Sequence, residues 1–271
     1  MSNQTNKIAL APRNDIAVPD GIKYFRMPLH ETSGIAAAWE TETSSGSINI
    51  SGTAAAPFAT PGCATLDGNS WWALGTTVTG LYDVATSESA EAVHQLFLAR
   101  LYYTANPASD NVIFALGSHG VEGLMWLLSS GGELKCGYTA AGGSGVLRVN
   151  SPASAKNAWI TIGLHLDHET GNLTHYSSAS ATLTQTYTTG EINLNNLRGA
   201  MFGRLSLDGT AEDTTYGQAF GTAAGTLISD FTALRLPAGT TAADIAAIVT
   251  EYDQLAGRDL PRRTLNRIYG A

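Results

Sequence analysis

An all-β fold is predicted for this chain, with two antiparallel sheets packed face to face and one short helix near the C-terminus. Three observations carry the prediction. Apolar runs are short and separated by Gly, Asn, Asp and Ser clusters, the cadence of strands joined by turns. Only 14% of residues are charged, too few to clothe many surface helices. Helical apolar spacing is convincing in a single segment, residues 240–257. With 271 residues and 44% hydrophobic content the chain can bury one sizeable core, and sandwiches of this length commonly form one domain.

Residues 1–22 contain Pro12, Pro19 and Gly21 without an apolar period, and are expected to form an extended arm that gains order only against a neighbour. Strands are expected at Ile22–Met27, Ser47–Ile50, Ala64–Leu66 and Trp71–Leu74. Val93–Tyr103 is largely apolar at both parities, with Phe97, Ala99 and Leu101 on one face and Leu96, Leu98 and Tyr102 on the other. It should be central and covered on both sides. Further strands follow at Asn111–Leu116, Gly123–Leu128, Glu133–Tyr138, Gly145–Val149, Trp159–Asp167, Asn172–Ser178, Asn196–Phe202 and Gly225–Leu234. So many strands exceed what one twisted open sheet commonly holds, so two sheets are expected.

In "TTAADIAAIVTEYDQLAG" the residues Ile245, Ile248, Val249, Tyr252 and Leu255 recur at helical spacing. Thr241 is placed to cap the start with Asp244 three residues on, and Gly257 fits the C′ position. After this lid helix, "RDLPRRTLNRIYGA" carries Arg258, Arg262, Arg263 and Arg267 in an acidic protein. Residues 258–271 are read as a basic tail outside the domain of residues 23–257, suited to an acidic partner surface.

The formal net charge is −8 and no Lys/Arg run reaches five residues, so a groove tracking nucleic-acid phosphates lacks its electrostatic basis. No apolar stretch approaches the roughly 20 residues that cross a bilayer. The opening "MSNQTNKIALAPRND" has no basic stretch followed by an apolar one, and a soluble protein made in a cytoplasm is expected. Cys63 and Cys136 are accordingly read as two buried thiols, neither in a C-x-x-C pair.

"GLHLDHETGNLTHY" (163–176) concentrates three histidines and two carboxylates. Read as a hairpin with "HETG" as its turn, it sets Leu166 opposite Leu173, Leu164 opposite His175 and His165 opposite Thr174. His165 and His175 then stand on opposite faces with His168 in the turn, an arrangement that cannot chelate one ion. No metal site is expected here.

No catalytic constellation emerges elsewhere. A strand with alternating carboxylates, as glycosidases on related sandwiches need, is missing: Glu40 and Glu42 precede a Ser/Gly turn, Glu88 and Glu91 lie in "TSESAEA", and Asp208, Glu212 and Asp213 lie in the polar "LDGTAEDTT". No Ser carries the flanking glycines of a nucleophile elbow, and "AAGGSG" (140–145) lacks the Lys-Ser/Thr of a phosphate loop. Asp67 and Asn69 in "LDGNS" are oxygen ligands on a turn, but calcium takes about six to eight oxygens, and an ordinary D-G turn is the preferred reading. Trp71 and Trp72 are adjacent, so one must face inward and one outward. Trp72, with Asn69 and Asp67, is the candidate platform for stacking a sugar.

The succession "FRMPLHETSG", "FATPGCATLDGNSWWALG", "VHQLFLARLYYT", "VIFALGSHGVEGLMWLLSSGGELKCGY", "NAWITIGLHLDHETGNLTHYSSA" and "FTALRLPAGTTAADIAAIVTEY" resembles the concanavalin A-like, laminin-G-type jelly roll. The likeness lies in its D/E-x-S/T-G, L-D-G, I-F-S-L-G and G-G-x-L elements, its D-x-x-T-G-x-L hairpin and its closing strand and helix, and runs from about Lys23 to Leu255. His175 departs from it, standing where the family hairpin has an aliphatic residue. The resemblance implies a sandwich and no particular ligand site; calcium, which such relatives often hold in edge loops, finds no full ligand set.

Two functions fit these readings. The first is a non-enzymatic structural component of a tailed-bacteriophage virion, which the whole design resembles. It would be a decoration, fibre or tail protein made in the host cytoplasm, contacting other virion proteins and copies of itself, with attachment to host polysaccharide as an addition. The alternative is a lectin-like carbohydrate-binding module presenting Trp72.

Overall fold

The computed structural model describes residues 16–28, 38–43, 46–51, 63–65, 72–75, 94–108, 110–118, 122–139, 146–150, 156–187, 200–202 and 226–270. The strands are β1 (Lys23–Met27), β2 (Ala38–Thr43), β3 (Gly46–Ser51), β4 (Ala64–Thr65), β5 (Trp72–Gly75), β6 (His94–Tyr102), β7 (Asn111–Ser118) and β8 (Glu122–Leu128). They continue as β9 (Leu134–Thr139), β10 (Val146–Asn150), β11 (Ile160–Asp167), β12 (Asn172–Ser177), β13 (Ser180–Thr186), β14 (Ala200–Phe202) and β15 (Leu227–Leu236). Two helices close the chain, α1 (Ala242–Gln254) and α2 (Arg262–Tyr269).

One sheet has nine strands in the order β13-β12-β11-β6-β15-β1-β2-β3, with β4 also paired to β15; the other has six, ordered β10-β9-β8-β7-β14-β5. Every pairing is antiparallel. This is the expected sandwich, of the concanavalin A-like jelly-roll type, and each expected strand has a counterpart. Two strands escaped the sequence reading. β2 ("AWETET") and β13 ("SATLTQT") lack an apolar alternation. β13 is an edge strand, held by its ladder to β12 and by a 3.0 Å hydroxyl contact between Thr174 and Thr184.

Between the sheets lies a core that includes Phe97, Phe231, Phe114, Trp126, Leu164 and Leu166. Phe114 of the smaller sheet meets Phe231 of the larger with ring centroids 4.6 Å apart, within the range of favourable aromatic pairs. β6 is central, as expected: Phe97, Ala99 and Leu101 enter this core, while Leu96 and Leu98 enter a second cluster under the helices. Val112, Ala115, Met125 and Leu127 form a third cluster on the other side of the smaller sheet. Cys63 and Cys136 are free, buried thiols; burial raises both pKa values, which makes them poor nucleophiles.

α1 begins with the expected capping box, Thr241 accepting from the amide of Asp244 and Asp244 returning to the amide of Thr241. Its expected apolar face is buried: Ile245, Ile248, Val249, Tyr252 and Leu255. At the C-terminus the amide of Ala256 donates to the Asp253 carbonyl and that of Gly257 to the Tyr252 carbonyl, the paired bonds of a Schellman motif. The motif places Ala256 at C′ with φ of 53°, one residue before the glycine expected there.

The expected basic tail is instead part of the domain. Leu260 and Leu265 are buried, and α2 sits against α1. Both carboxylate oxygens of Glu251 accept from the first turn of α2, from the amides of Arg263 at 3.3 Å and Thr264 at 2.7 Å. A negative side chain thereby satisfies helix N-terminal donors that would otherwise be orphaned. The apolar spacing Leu265, Ile268, Tyr269 is helical, but four arginines in fourteen residues mask it in the sequence. Ile16 and Ala17, described from the expected arm, accept through their carbonyls from Arg262 and Asn266. Among the described residues no helix is long and apolar enough to cross a membrane.

The hairpin register is the expected one, with Leu164 opposite His175, His165 opposite Thr174 and Leu166 opposite Leu173. His175 is therefore buried on the core side, and neither ring nitrogen has a hydrogen-bond partner. Burial pushes its pKa down to about 4.

Three stability outcomes follow. Ala256→Gly should raise stability by about 1 kcal/mol by relieving a left-handed alanine. Gly257→Ala should lower it by about 1–3 kcal/mol, since the new Cβ would sit 2.7 Å from Arg100 Cγ at φ of +73°. His175→Leu should stabilise by about 1–3 kcal/mol at pH 7.5 by removing unpaired buried nitrogens. His175 titrates near 6.5 when unfolded and near 4 when folded. His175 therefore adds no pH dependence above pH 6.5, and below it the unfolded state takes up a proton that the folded state refuses, so stability falls by about 1.4 kcal/mol per pH unit toward pH 4; the leucine variant should lose that share of the slope. Urea unfolding at pH 7.5 and 5 measures all three.

Candidate functional site

The polar groups of this sandwich gather on the helix-facing side of the β6–β11 ladder. Cross-strand pairs there run Arg100–Thr161, Leu98–Gly163, Leu96–His165 and His94–Asp167. The middle of the strip is apolar and closed: a Cβ on Gly163 would lie 3.2 Å from Leu98 Cδ2 and 3.3 Å from Tyr176 Cβ, so only glycine fits without displacement. Nearer one end, Arg100 Nη1 donates to Asp253 Oδ1 of α1 at 2.8 Å and to Thr161 Oγ1 at 3.0 Å, while the Thr161 hydroxyl donates to the same carboxylate at 2.7 Å. This polar triad sets α1 on the sheet.

At the far end of the strip His94 Nδ1 lies 3.1 Å from His165 Nε2, and His94 Nε2 lies 2.9 Å from Glu169 Oε2. The two rings stack with centroids 5.3 Å apart. Burial, reinforced by His94, lowers the His165 pKa to about 3, so His165 is neutral. His94 Nε2 donates to Glu169 Oε2, and of the two facing nitrogens, His94 Nδ1 and His165 Nε2, one donates to the other. Glu169 also accepts from the Gly239 amide at 2.9 Å. Hydrogen bonds from Gly239 and His94 hold its carboxyl below the usual range. Asp167 Oδ1, 3.6 Å from His94 Nδ1, accepts from the amides of Glu169 and Thr170. Burial works to raise the Asp167 pKa, but these bonds and that of the Thr170 hydroxyl lower it on balance. One donor atom each from His94, Asp167 and Glu169 can be chosen within 4.8 Å of one another, so these three residues could hold a metal ion. The hairpin register was legible in the sequence; the approach of His94, seventy-one residues from His165, was not.

His168 turns to the opposite side of the hairpin. Its Nε2 lies 3.1 Å from Gln95 Oε1, and its Nδ1 lies 3.1 Å from the hydroxyl of Tyr187, which donates to the Asp167 carbonyl. Burial lowers its pKa to about 4. The three histidines of the motif thus occupy three separate surroundings, with His165 and His175 on opposite faces of the sheet.

At the other end of the strip Trp159 is 37% exposed, the one large apolar side chain so exposed among the described residues. Its ring rests 5.5 Å from that of Tyr102. From the sequence Trp159 reads only as the start of a strand. The available signal was its parity, since it falls out of phase with the aliphatic series Ile160, Ile162, Leu164, Leu166.

Of the glycan-binding candidates, Trp72 opens β5, the edge strand of the smaller sheet, opposite Phe202, which in turn pairs with the core residue Phe114. Asp67 and Asn69, also the calcium candidates, lie outside the described residues, as do Trp71, Glu88, Glu91 and 208–213. The four arginines do not act together. Arg262 is spent inside the fold, on Asp259 at 3.3 Å and on the Ile16 carbonyl. Arg258 receives Arg26 through its carbonyl oxygen. Arg263 and Arg267 are exposed and border a shallow groove with Thr250 and Gln254 of α1.

No protein-family model matches the chain, and no curated protein matches it in sequence. Solved structures do match in fold. A variant of the NanB sialidase from Streptococcus pneumoniae superposes with a TM-score of 0.50 and 15% identity, over 68% of this chain and 27% of that one. The Ruminococcus gnavus IT-sialidase CBM40 bound to α2,3-sialyllactose gives 0.43 and 12%, over 58% of this chain and 81% of that one. The heptameric SAP-like pentraxin from Limulus polyphemus gives 0.35 and 12%, over 54% and 73%. The chain spans about a quarter of the sialidase, and at 15% identity that likeness is one of fold.

Proposed function

We propose that this chain is a non-catalytic, lectin-like module that holds a saccharide against Trp159 and Tyr102. The observation carrying this reading is the exposed indole propped on a tyrosine at the rim of the larger sheet. An amphipathic ring held at the surface gives the apolar face of a sugar a flat, preordered surface. Lys156 and Asn157, both exposed beside it, supply hydrogen-bonding groups. Jelly-roll sandwiches recur as lectin domains, and the R. gnavus module of similar fold is a sialyllactose binder; this chain's own saccharide follows from neither.

Binding is favoured over catalysis because the described carboxylates of the strip are occupied. Asp167 and Glu169 accept from the turn and from Gly239, and Asp253 from Arg100 and Thr161.

A second reading, particle assembly as a virion component, rests on Arg263 and Arg267, two exposed cations one helical turn apart in an acidic chain. They would meet an acidic surface on another protein or a further copy.

A glycan array should show saturable binding by the wild type and about a tenfold or greater loss for Trp159→Ala. Loss confined to Trp72→Ala would move the site to the β5 edge, and a wild type that binds no saccharide would reject the lectin reading. For assembly, Arg263→Glu with Arg267→Glu should abolish any self-association seen in sedimentation velocity while leaving the circular dichroism spectrum unchanged.

A further inference from the structure

We propose that His94, Asp167 and Glu169 bind one divalent first-row transition-metal ion, which would fasten the β11–β12 hairpin to the start of β6. The three residues come from β6, the end of β11 and the following turn, and their donor atoms can be chosen within 4.8 Å of one another. Bonds of about 2.0–2.2 Å to a shared ion set such atoms roughly 3–4 Å apart, so small side-chain adjustments close the shell. The ion takes the place of the proton between His94 Nε2 and Glu169 Oε2, now 2.9 Å apart, and Asp167 turns in as the third ligand.

The surroundings resemble those that orient metal ligands. His94 is buried, and its other nitrogen faces His165 Nε2 at 3.1 Å. An imidazole that ligates through one nitrogen characteristically donates through the other, which fixes tautomer and ring angle. With Nε2 on the ion, the single His94 proton sits on Nδ1 and is donated to His165 Nε2, while His165 carries its own proton on Nδ1. The carboxylates are positioned as well, Glu169 by the Gly239 amide and Asp167 by the amides of Glu169 and Thr170. Much of the ordering that binding requires is thus already present in the fold.

Charge and access agree. Two carboxylates balance a divalent ion, and one imidazole nitrogen with two oxygens suits Zn²⁺ or Mn²⁺. The Asp167 and Glu169 side chains are 14% and 29% exposed while His94 is 1% exposed. The ion arrives from the carboxylate side, and water fills its remaining positions. The site lies at the opposite end of the strip from Trp159, so the proposal stands apart from the lectin reading and is tested without any saccharide.

The test is isothermal titration of the full chain with ZnCl₂ and, separately, MnCl₂, beside thermal unfolding with and without each ion. One ion per chain is expected, with a raised Tm. Glu169→Gln retains an acceptor for Gly239 and should keep the fold while weakening affinity about tenfold or more; His94→Gln should do the same, and His175→Leu should bind as wild type. Absence of saturable binding of either ion by the wild type would show a hydrogen-bonded latch only and overturn the proposal. So would equal affinity in a folded Glu169→Gln, which would place the ion elsewhere.

Discussion

The structure depends on two adjacent strands, β6 and β11, each clothed on both faces. One face meets the second sheet across the aromatic core, and the other meets the layer of two helices. A strand in that position can carry unpaired polarity only where its cover ends, because a buried polar atom without a partner costs free energy comparable to a lost hydrogen bond. The ladder obeys this constraint. Its middle rows are Leu98–Gly163 and Leu96–His165, and its chemistry is displaced to the ends: an aromatic pair at one and the His94–Asp167–Glu169 group at the other. Both sites described above are thus products of where the cover stops.

The helical layer is registered on the sheet by polar contacts more than by greasy ones. Apolar burial is non-directional, and the alkyl surface of Ile245, Ile248 and Tyr252 would tolerate several placements of α1. Arg100, Thr161 and Asp253 select one of them, since their three mutual bonds exist in a single relative position. A partly buried ion pair contributes little net stability, so its role here is to orient. Glu251 does the same for α2, and Arg26, buried in β1, reaches the carbonyl of Arg258 across 232 residues.

Much of this was legible in the sequence, and the parts that were not share a cause. Strand parity, the hairpin register, the capping box and the apolar face of α1 are local patterns, set by neighbours within a few residues, and the structure reproduces them. β13 stayed hidden because an edge strand needs no apolar face, only a ladder partner. α2 stayed hidden because its three apolar residues stand among arginines whose charges suggested solvent. The left-handed turn after α1 takes two residues, Ala256 and Gly257, where propensity alone places one glycine. The meeting of His94 with Glu169 belongs to a different category, since no spacing rule relates residues brought together only by sheet order.

The contacts between Arg262 and Ile16 and between Asn266 and Ala17 put the first and last described segments side by side. Residues 16 and 17 and helix α2 therefore share one flank of the sandwich. Each segment thus holds the other against the sandwich, so fraying of α2 would release residues 16 and 17 in the same step.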